Sequence, residues 1–330
     1  MTGIAHALAA GWRRTGGWGT RRRLRRLVIA VLAVAGVAMA ATGAAGVVRY
    51  GETFWLYRGF PAPVLPLGVA KPEVTTITVA SPALDGYKDT VYVVLPPGYA
   101  SQPRRRYPVL YLLHGYTGYP WNFLTTGDLA PTYASLLAAG EVQPMILVMP
   151  SGTRSFMTDT EWVNWVGTGN LWETFVARDL VNAIDARYRT VRSGSARGIA
   201  GYSEGGYAAL NIGLHHPGEF ALLEGWSGYV IADNNPAFFD HSRALLRYNS
   251  PIDDVFTVAA RLRAARTYIW FYCGRTDVGY TAQNNRFAAE LTALGIAHDF
   301  LWEPGSHSWA LWRDMIPQSL ITASEHLSHG

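Results

Sequence analysis

From Glu73 onward, short runs of β-branched and aliphatic residues alternate with longer stretches of helical period, and this alternation restricts the fold more than any other feature of the chain. The strands it predicts are 74–79, 91–95, 109–113, 145–149, 198–201, 221–226, 268–272 and 298–302. Two of them, Val109 to Leu113 and Met145 to Met149, are apolar without a break, as strands covered on both faces of a parallel sheet must be. The first two alternate instead, and the second stops at Pro96-Pro97-Gly98, which predicts an antiparallel hairpin at one sheet edge. Helical spacing is clearest over 172–188, 206–216, 281–294 and 309–326; in the first, Phe175, Val176, Leu180, Ile184 and Tyr188 form one apolar stripe. The stretch 231–266 interrupts the alternation and is expected to cover the C-terminal edge of the sheet.

The chain divides before that point. Residues 1–26 are basic and would lie in the cytoplasm; 27–48 are uncharged and follow Arg21, Arg22, Arg23, Arg25 and Arg26. As a helix this segment would extend about 33 Å against a hydrocarbon core of about 30 Å. Arginines on its N-terminal side would keep that end inside and put the remainder outside the cytoplasm. A cleaved signal peptide is the other reading, with Ala38-Met39-Ala40 as the cleavage site and Thr20-Arg21-Arg22-Arg23-Leu24 partly fitting a twin-arginine signal. Residues 49–72, with Pro61, Pro63, Pro66 and Pro72, read as a linker, leaving 73–330 as the catalytic domain. Seven of the 28 Lys and Arg fall in the first 26 residues, so the rest carries 21 against 24 Asp and Glu; nucleic-acid binding is not expected. The one cysteine, Cys273, can form no internal disulfide and reads as a buried small hydrophobe.

Between the fifth predicted strand and the next helix stands Gly201-Tyr202-Ser203-Glu204-Gly205-Gly206. A GxSxG match alone is weak, but strand, sharp turn and helix together describe a nucleophile elbow that leaves the serine hydroxyl exposed above the sheet edge. A serine needs a base and an orienting acid. Asp277, after the strand ending at Cys273, and His307, in Pro304-Gly305-Ser306-His307, both lie in loops at strand C-terminal ends, where open α/β sheets place their sites. The order Ser203, Asp277, His307 is that of the α/β-hydrolase fold, a mostly parallel sheet flanked by helices. The tetrahedral intermediate needs hydrogen-bond donors: the N–H of Glu204 is one, and the N–H of Tyr116, with Thr117 as rival, is the second. His114 is expected to shape that loop and not to take part in catalysis.

The stretches YPVLYLLHG, WETFVARDL, GYSEGGYAAL, FYCGRTD and EPGSHSWALW resemble the esterase family that includes esterase D, feruloyl esterases and the antigen 85 mycolyltransferases, over about residues 73–325. The resemblance implies Ser203, Asp277 and His307 as the triad and supports Tyr116 as oxyanion donor. Where such relatives often carry Met after the nucleophile, this chain has Glu204, whose side chain is expected to turn outward, since only its N–H is needed.

Among the 12 tryptophans, Trp162, Trp226 and Trp309 are candidates for lining a substrate groove, with core packing as the competing account. No metal or cofactor is expected: HExxH, CxxC, P-loop and GxGxxG patterns are absent. The expected activity is hydrolysis of a small-molecule or glycolipid carboxylic ester outside the cytoplasm. The alternatives are an acyltransferase acting on cell-envelope sugars and a non-catalytic envelope-binding module on the same fold.

Overall fold

The computed structural model describes residues 62–155 and 158–329, together with Val31 and Phe60. The basic N-terminus, the apolar segment 27–48 apart from Val31, and the first half of the linker lie outside the described residues; residues 62–72 hold no helix or strand and turn once at Gly68. Among the described residues no helix is long and apolar enough to cross a membrane.

Eight strands form one sheet: β1 Glu73–Ser81, β2 Tyr87–Leu95, β3 Val109–Leu113, β4 Ile146–Pro150, β5 Arg197–Tyr202, β6 Leu222–Trp226, β7 Tyr268–Gly274 and β8 His298–Glu303. Their order is β1-β2-β4-β3-β5-β6-β7-β8. The hairpin β1–β2 is antiparallel and joins β4 antiparallel; from β4 onward every pairing is parallel. All eight predicted strands are present, and the prolines after β2 end the edge hairpin where the sequence places them. The central strands β3, β4, β5 and β6 are buried at every residue, which is why β3 and β4 read as unbroken apolar runs, whereas β5 and β6 bury one charged residue each, Arg197 and Glu224. Edge strand β8 is half-exposed and correspondingly carries His298, Asp299 and Glu303.

The helices are α1 Pro120–Thr125, α2 Leu129–Ala139, α3 (Trp172–Thr174, a π-helical stretch Phe175–Leu180, then Val181–Arg187), α4 Glu204–His215, α5 Pro236–Phe239, α6 Arg243–Tyr248, α7 Pro251–Ala265, α8 Val278–Ala293 and α9 Trp309–His326. Alternation along β6 shows how they cover both faces. Leu223 lies against α4, where a side chain at Gly213 would collide with it, and Glu224 points to the opposite face, taking a 2.5 Å hydrogen bond from Ser319 of α9. The stretch 231–266 folds as α5, α6 and α7, and α7 packs on α4 while the Tyr207 hydroxyl donates to the Asn249 carbonyl. Cys273 is fully buried, and burial, then the charge of Asp277, pushes its thiol up to about 11, so it is unsuited to act as a nucleophile.

Glu224 is the sheet's most expensive residue. It is completely buried in the layer between β6 and α9, its Oε2 accepts from Trp226 Nε1 and Ser319 Oγ, and its Oε1 has no partner. Burial raises its carboxyl to about 8 although both hydrogen bonds act the other way. A raised folded-state value makes its contribution to stability greatest below the unfolded carboxyl range and lost as pH climbs toward 8. Glu224→Gln, which keeps the shape, is therefore expected to gain on wild type by about a few kcal/mol as pH rises from 5 to 9. Urea melts at the two pH values check this; a constant difference between variant and wild type refutes it.

Candidate active site

Ser203 occupies the turn between β5 and α4 at φ 57°, ψ −123°, a region that residues with a Cβ rarely enter. The turn is pinned by its N–H, which donates to the Trp226 carbonyl (2.9 Å), and by its carbonyl, which accepts from Gly206 and Tyr207. Glycine is required around it by contact. A Cβ at Gly205 would stand 2.0 Å from the Leu113 carbonyl oxygen, and one at Gly115 would stand 2.8 Å from the Ser203 Cβ. The loop after β3 thus lies directly against the nucleophile.

The structure brings together the three residues that the sequence placed 104 and 30 positions apart. Ser203 Oγ and His307 Nε2 are 2.9 Å apart, and His307 Nδ1 is 2.7 Å from Asp277 Oδ2. Asp277 is 8% exposed at the end of β7, whereas the His307 ring is more open, flanked by Tyr280 at 5.3 Å and edge-on by Trp312 at 5.1 Å. The acid and histidine loops are tied together: the Thr276 N–H and hydroxyl both donate to the Gly305 carbonyl, at 3.1 and 2.7 Å. The Asp277 carbonyl accepts from the Thr281 hydroxyl at 2.9 Å, fixing the acid at the start of α8. A buried carboxylate at imidazole Nδ1 selects the tautomer that leaves Nε2 facing the serine as an acceptor.

A cavity of about 590 Å³ opens at Ser203, and Tyr116 and Glu204 are in its wall. Thr117 lines a smaller neighbouring depression instead, so of the two rivals for second oxyanion donor Tyr116 is the one on the cavity of the nucleophile. Glu204 is the first residue of α4, where a backbone N–H precedes the intrahelical bonding. His114 is buried beneath this loop; burial lowers its imidazole below the ordinary range, and Nε2 lies 2.5 Å from the Ser151 carbonyl.

Two expectations are corrected. The Glu204 side chain does not turn outward: it is 6% exposed and in the cavity wall, because the helix that follows a central strand starts beneath the loops and not at the surface. Nor do Trp162, Trp226 and Trp309 line the groove; each is at most 1% exposed. Trp162 donates to the His114 carbonyl (3.2 Å) under the oxyanion loop, Trp226 donates to Glu224 on the α9 face, and Trp309 packs on Tyr202 at 4.7 Å. The rings that do reach the cavity are Tyr116, Tyr229 and Tyr280, and its acidic residues Asp159, Glu161 and Asp233 were not singled out from the sequence. Their only signal was position, in the segments that follow β4 and β6. Among the described residues no group of His, Cys, Asp and Glu is arranged to hold a metal ion.

Residues 81–323 match the family model described as "Putative esterase". Esterase Rv1288 of Mycobacterium tuberculosis is 32% identical over 249 residues, 67% of this chain but 53% of that protein, so the chain spans about half the length of this relative. The diacylglycerol acyltransferase/mycolyltransferase Ag85A of Mycobacterium ulcerans is 27% identical over 250 residues, covering 62% of this chain and 69% of that protein. Among solved structures, a ferulic acid esterase superposes with a TM-score of 0.68 at 26% identity, over 78% of this chain and 100% of that one. An S-formylglutathione hydrolase from Agrobacterium tumefaciens shares the fold, with a TM-score of 0.66 at 17% identity over 82% and 100%.

Two substitutions test the geometry. Asp277→Asn is expected to lower kcat on an aryl ester by roughly 10²- to 10⁴-fold with the fold intact, by favouring the wrong imidazole tautomer. Ser203→Gly is expected to be more stable than Ser203→Ala by about 1 kcal/mol, the reverse of the usual glycine penalty, because it releases the positive-φ strain. Urea denaturation of the two inactive variants measures that difference, and the opposite order means that the turn is not strained.

Proposed function

The chain belongs to the esterase family, and from that premise we propose that it is a serine esterase, hydrolysing carboxylic esters through an acyl-enzyme on Ser203. The observation that carries the reading is the unbroken array from Asp277 through His307 to Ser203, at 2.7 and 2.9 Å, opening into one cavity.

In this reading His307 Nε2 accepts the hydroxyl proton as Ser203 Oγ bonds to the ester carbonyl carbon. The carbonyl oxygen becomes the oxyanion held by the N–H groups of Glu204 and Tyr116. The Asp277 carboxylate stabilises the imidazolium. His307 returns the proton to the departing alcohol, and the same sequence with water releases the acid and restores the serine. Burial of Asp277 and the ring contacts on His307 favour this role, since they hold the imidazole in one orientation.

The same first half-reaction serves an acyltransferase, and the similarity to the mycolyltransferase supports that second reading, with a cell-envelope sugar in place of water. A non-catalytic envelope-binding module is disfavoured by the assembled array. We place the working domain outside the cytoplasm, anchored or secreted, on the strength of the arginine-flanked apolar segment 27–48.

The purified protein is expected to label with a fluorophosphonate probe and to cleave short-chain aryl esters, both lost in Ser203→Ala; labelling that persists in that variant defeats the assignment. An ester panel of graded acyl length, run with and without trehalose, separates the two enzyme readings: free acid alone excludes transfer, and acylated sugar establishes it.

A further inference from the structure

The wall of the Ser203 cavity is acidic and, among the described residues that form it, holds no Lys or Arg. Two of its carboxyl groups are almost shut off from water: Glu161 and Glu204 are each 6% exposed, while Asp159 is half-buried and Asp233 exposed. The Tyr229 hydroxyl donates to Glu161 Oε2, and the Tyr229 ring stacks on Tyr207 of α4, 4.6 Å between centroids. Every neighbour that could compensate a buried negative charge is neutral or itself acidic. Asp159 and Glu161, from the segment after β4, and Tyr229, from the segment after β6, stand near Glu204, as does Tyr207 on its own helix, while Asp233 and Tyr280 complete the same wall beside Glu161. His114, in the wall of the adjoining depression with Glu204, is held neutral by burial.

Two carboxylates in such a place, with no cation between them, are costly, and keeping a proton is the cheaper state. Burial, reinforced by Asp159 and Asp233 and opposed by the Tyr229 hydrogen bond, raises Glu161 to about 8. Glu204 is pushed well above the ordinary carboxyl range by burial and then by the charges of Glu161 and Asp159, against the hydrogen bond that the Glu161 backbone N–H gives it. Its own N–H is the oxyanion donor of the proposed mechanism, so a charge on its side chain would stand beside the negative charge that the reaction creates.

Resting on the serine-esterase reading, we propose that Glu204 serves acyl transfer as a neutral carboxylic acid kept protonated by its neighbour Glu161, and that loss of this proton in alkali slows the site. Glu204 is here a positioning residue: its side chain sets the field at the oxyanion and takes no part in bond making. The two carboxyls titrate as a pair, so removing either changes the other.

The test is the pH dependence of kcat/KM on a short-chain aryl ester, and of the fluorophosphonate labelling rate, between pH 7 and 10. Wild type, Glu204→Gln and Glu161→Gln are compared, with circular dichroism at each pH to show that the fold persists. Wild type is expected to lose about tenfold in both rates as pH rises across this range, less than the roughly 10²-fold that loss of an oxyanion donor costs. In Glu204→Gln the alkaline loss should shrink below about twofold. In Glu161→Gln it should move to lower pH, because Glu204 no longer titrates against a second charge. A structural role alone would lower the rates at every pH without moving the limb. A wild type with no alkaline loss, or a Glu204→Gln protein with the wild-type limb, overturns the proposal. If Glu204→Gln does not fold, the direction of the shift in Glu161→Gln decides. The Ser203→Ala control separates the two levels: labelling that requires Ser203 together with an unmoved limb defeats this inference alone, and labelling that does not require Ser203 defeats the reading beneath it.

Discussion

The turn at Ser203 is the constraint from which the rest of the site follows. Its backbone is held in a sparsely populated conformation by the carbonyl of Trp226 on the neighbouring strand and by the first turn of α4. The first of these anchors comes from β6, the parallel neighbour of β5, which holds the turn where the strand ends. Close packing then removes the space for side chains: Gly205 lies under the end of β3, and Gly115 lies against the nucleophile itself. The hydrophobic core and the reactive hydroxyl are in this sense one structure, and the strain at the turn is sustained by the burial of the strands around it.

The charges of the site divide into two halves. On one side of Ser203, Asp277 is buried against His307 and its loop is tied to the histidine loop through Thr276 and Gly305, so that the acid and base move together. On the other side, Glu161 and Glu204 are buried with no cation to meet them and are driven toward their neutral forms. A carboxylate is useful beside an imidazole that becomes positive and harmful beside an oxygen that becomes negative. The different surroundings of these acids match those opposite needs.

Much of this was legible in the residues. The eight strands declare themselves through apolar runs and the edge hairpin through its alternation and prolines. Ser203, Asp277 and His307 each stand directly after a strand, which is where a parallel sheet gathers side chains from distant parts of the chain. What misled was sequence proximity to those motifs. Trp226 ends β6 and Trp309 begins α9, but their rings follow the alternation of the sheet and the stripe of the helix into the core, a matter of which face each position takes. Glu204 was expected to turn outward because only its N–H is needed at the oxyanion, a requirement that says nothing of where the side chain goes. The two glycines after it give the truer signal, since they mark a helix start pressed against the sheet. The acidic wall was illegible because Asp159, Glu161 and Asp233 come from segments without periodicity, and only the folded loops bring them to Ser203.

The contact between Gly115 and Ser203 has a consequence for how such a protein diversifies. With the oxyanion loop and the nucleophile touching at backbone level, neither can drift to suit a new molecule without unseating the other. Residues 158–161 and 229–233, on the other bank of the cavity, are held through side chains instead, Tyr229 to Glu161 and the N–H groups of Val230 and Ile231 to Gln283 Oε1. A different ester is thereby more easily accommodated by replacing side chains on that bank of the cleft than by moving the loop that bears Gly115.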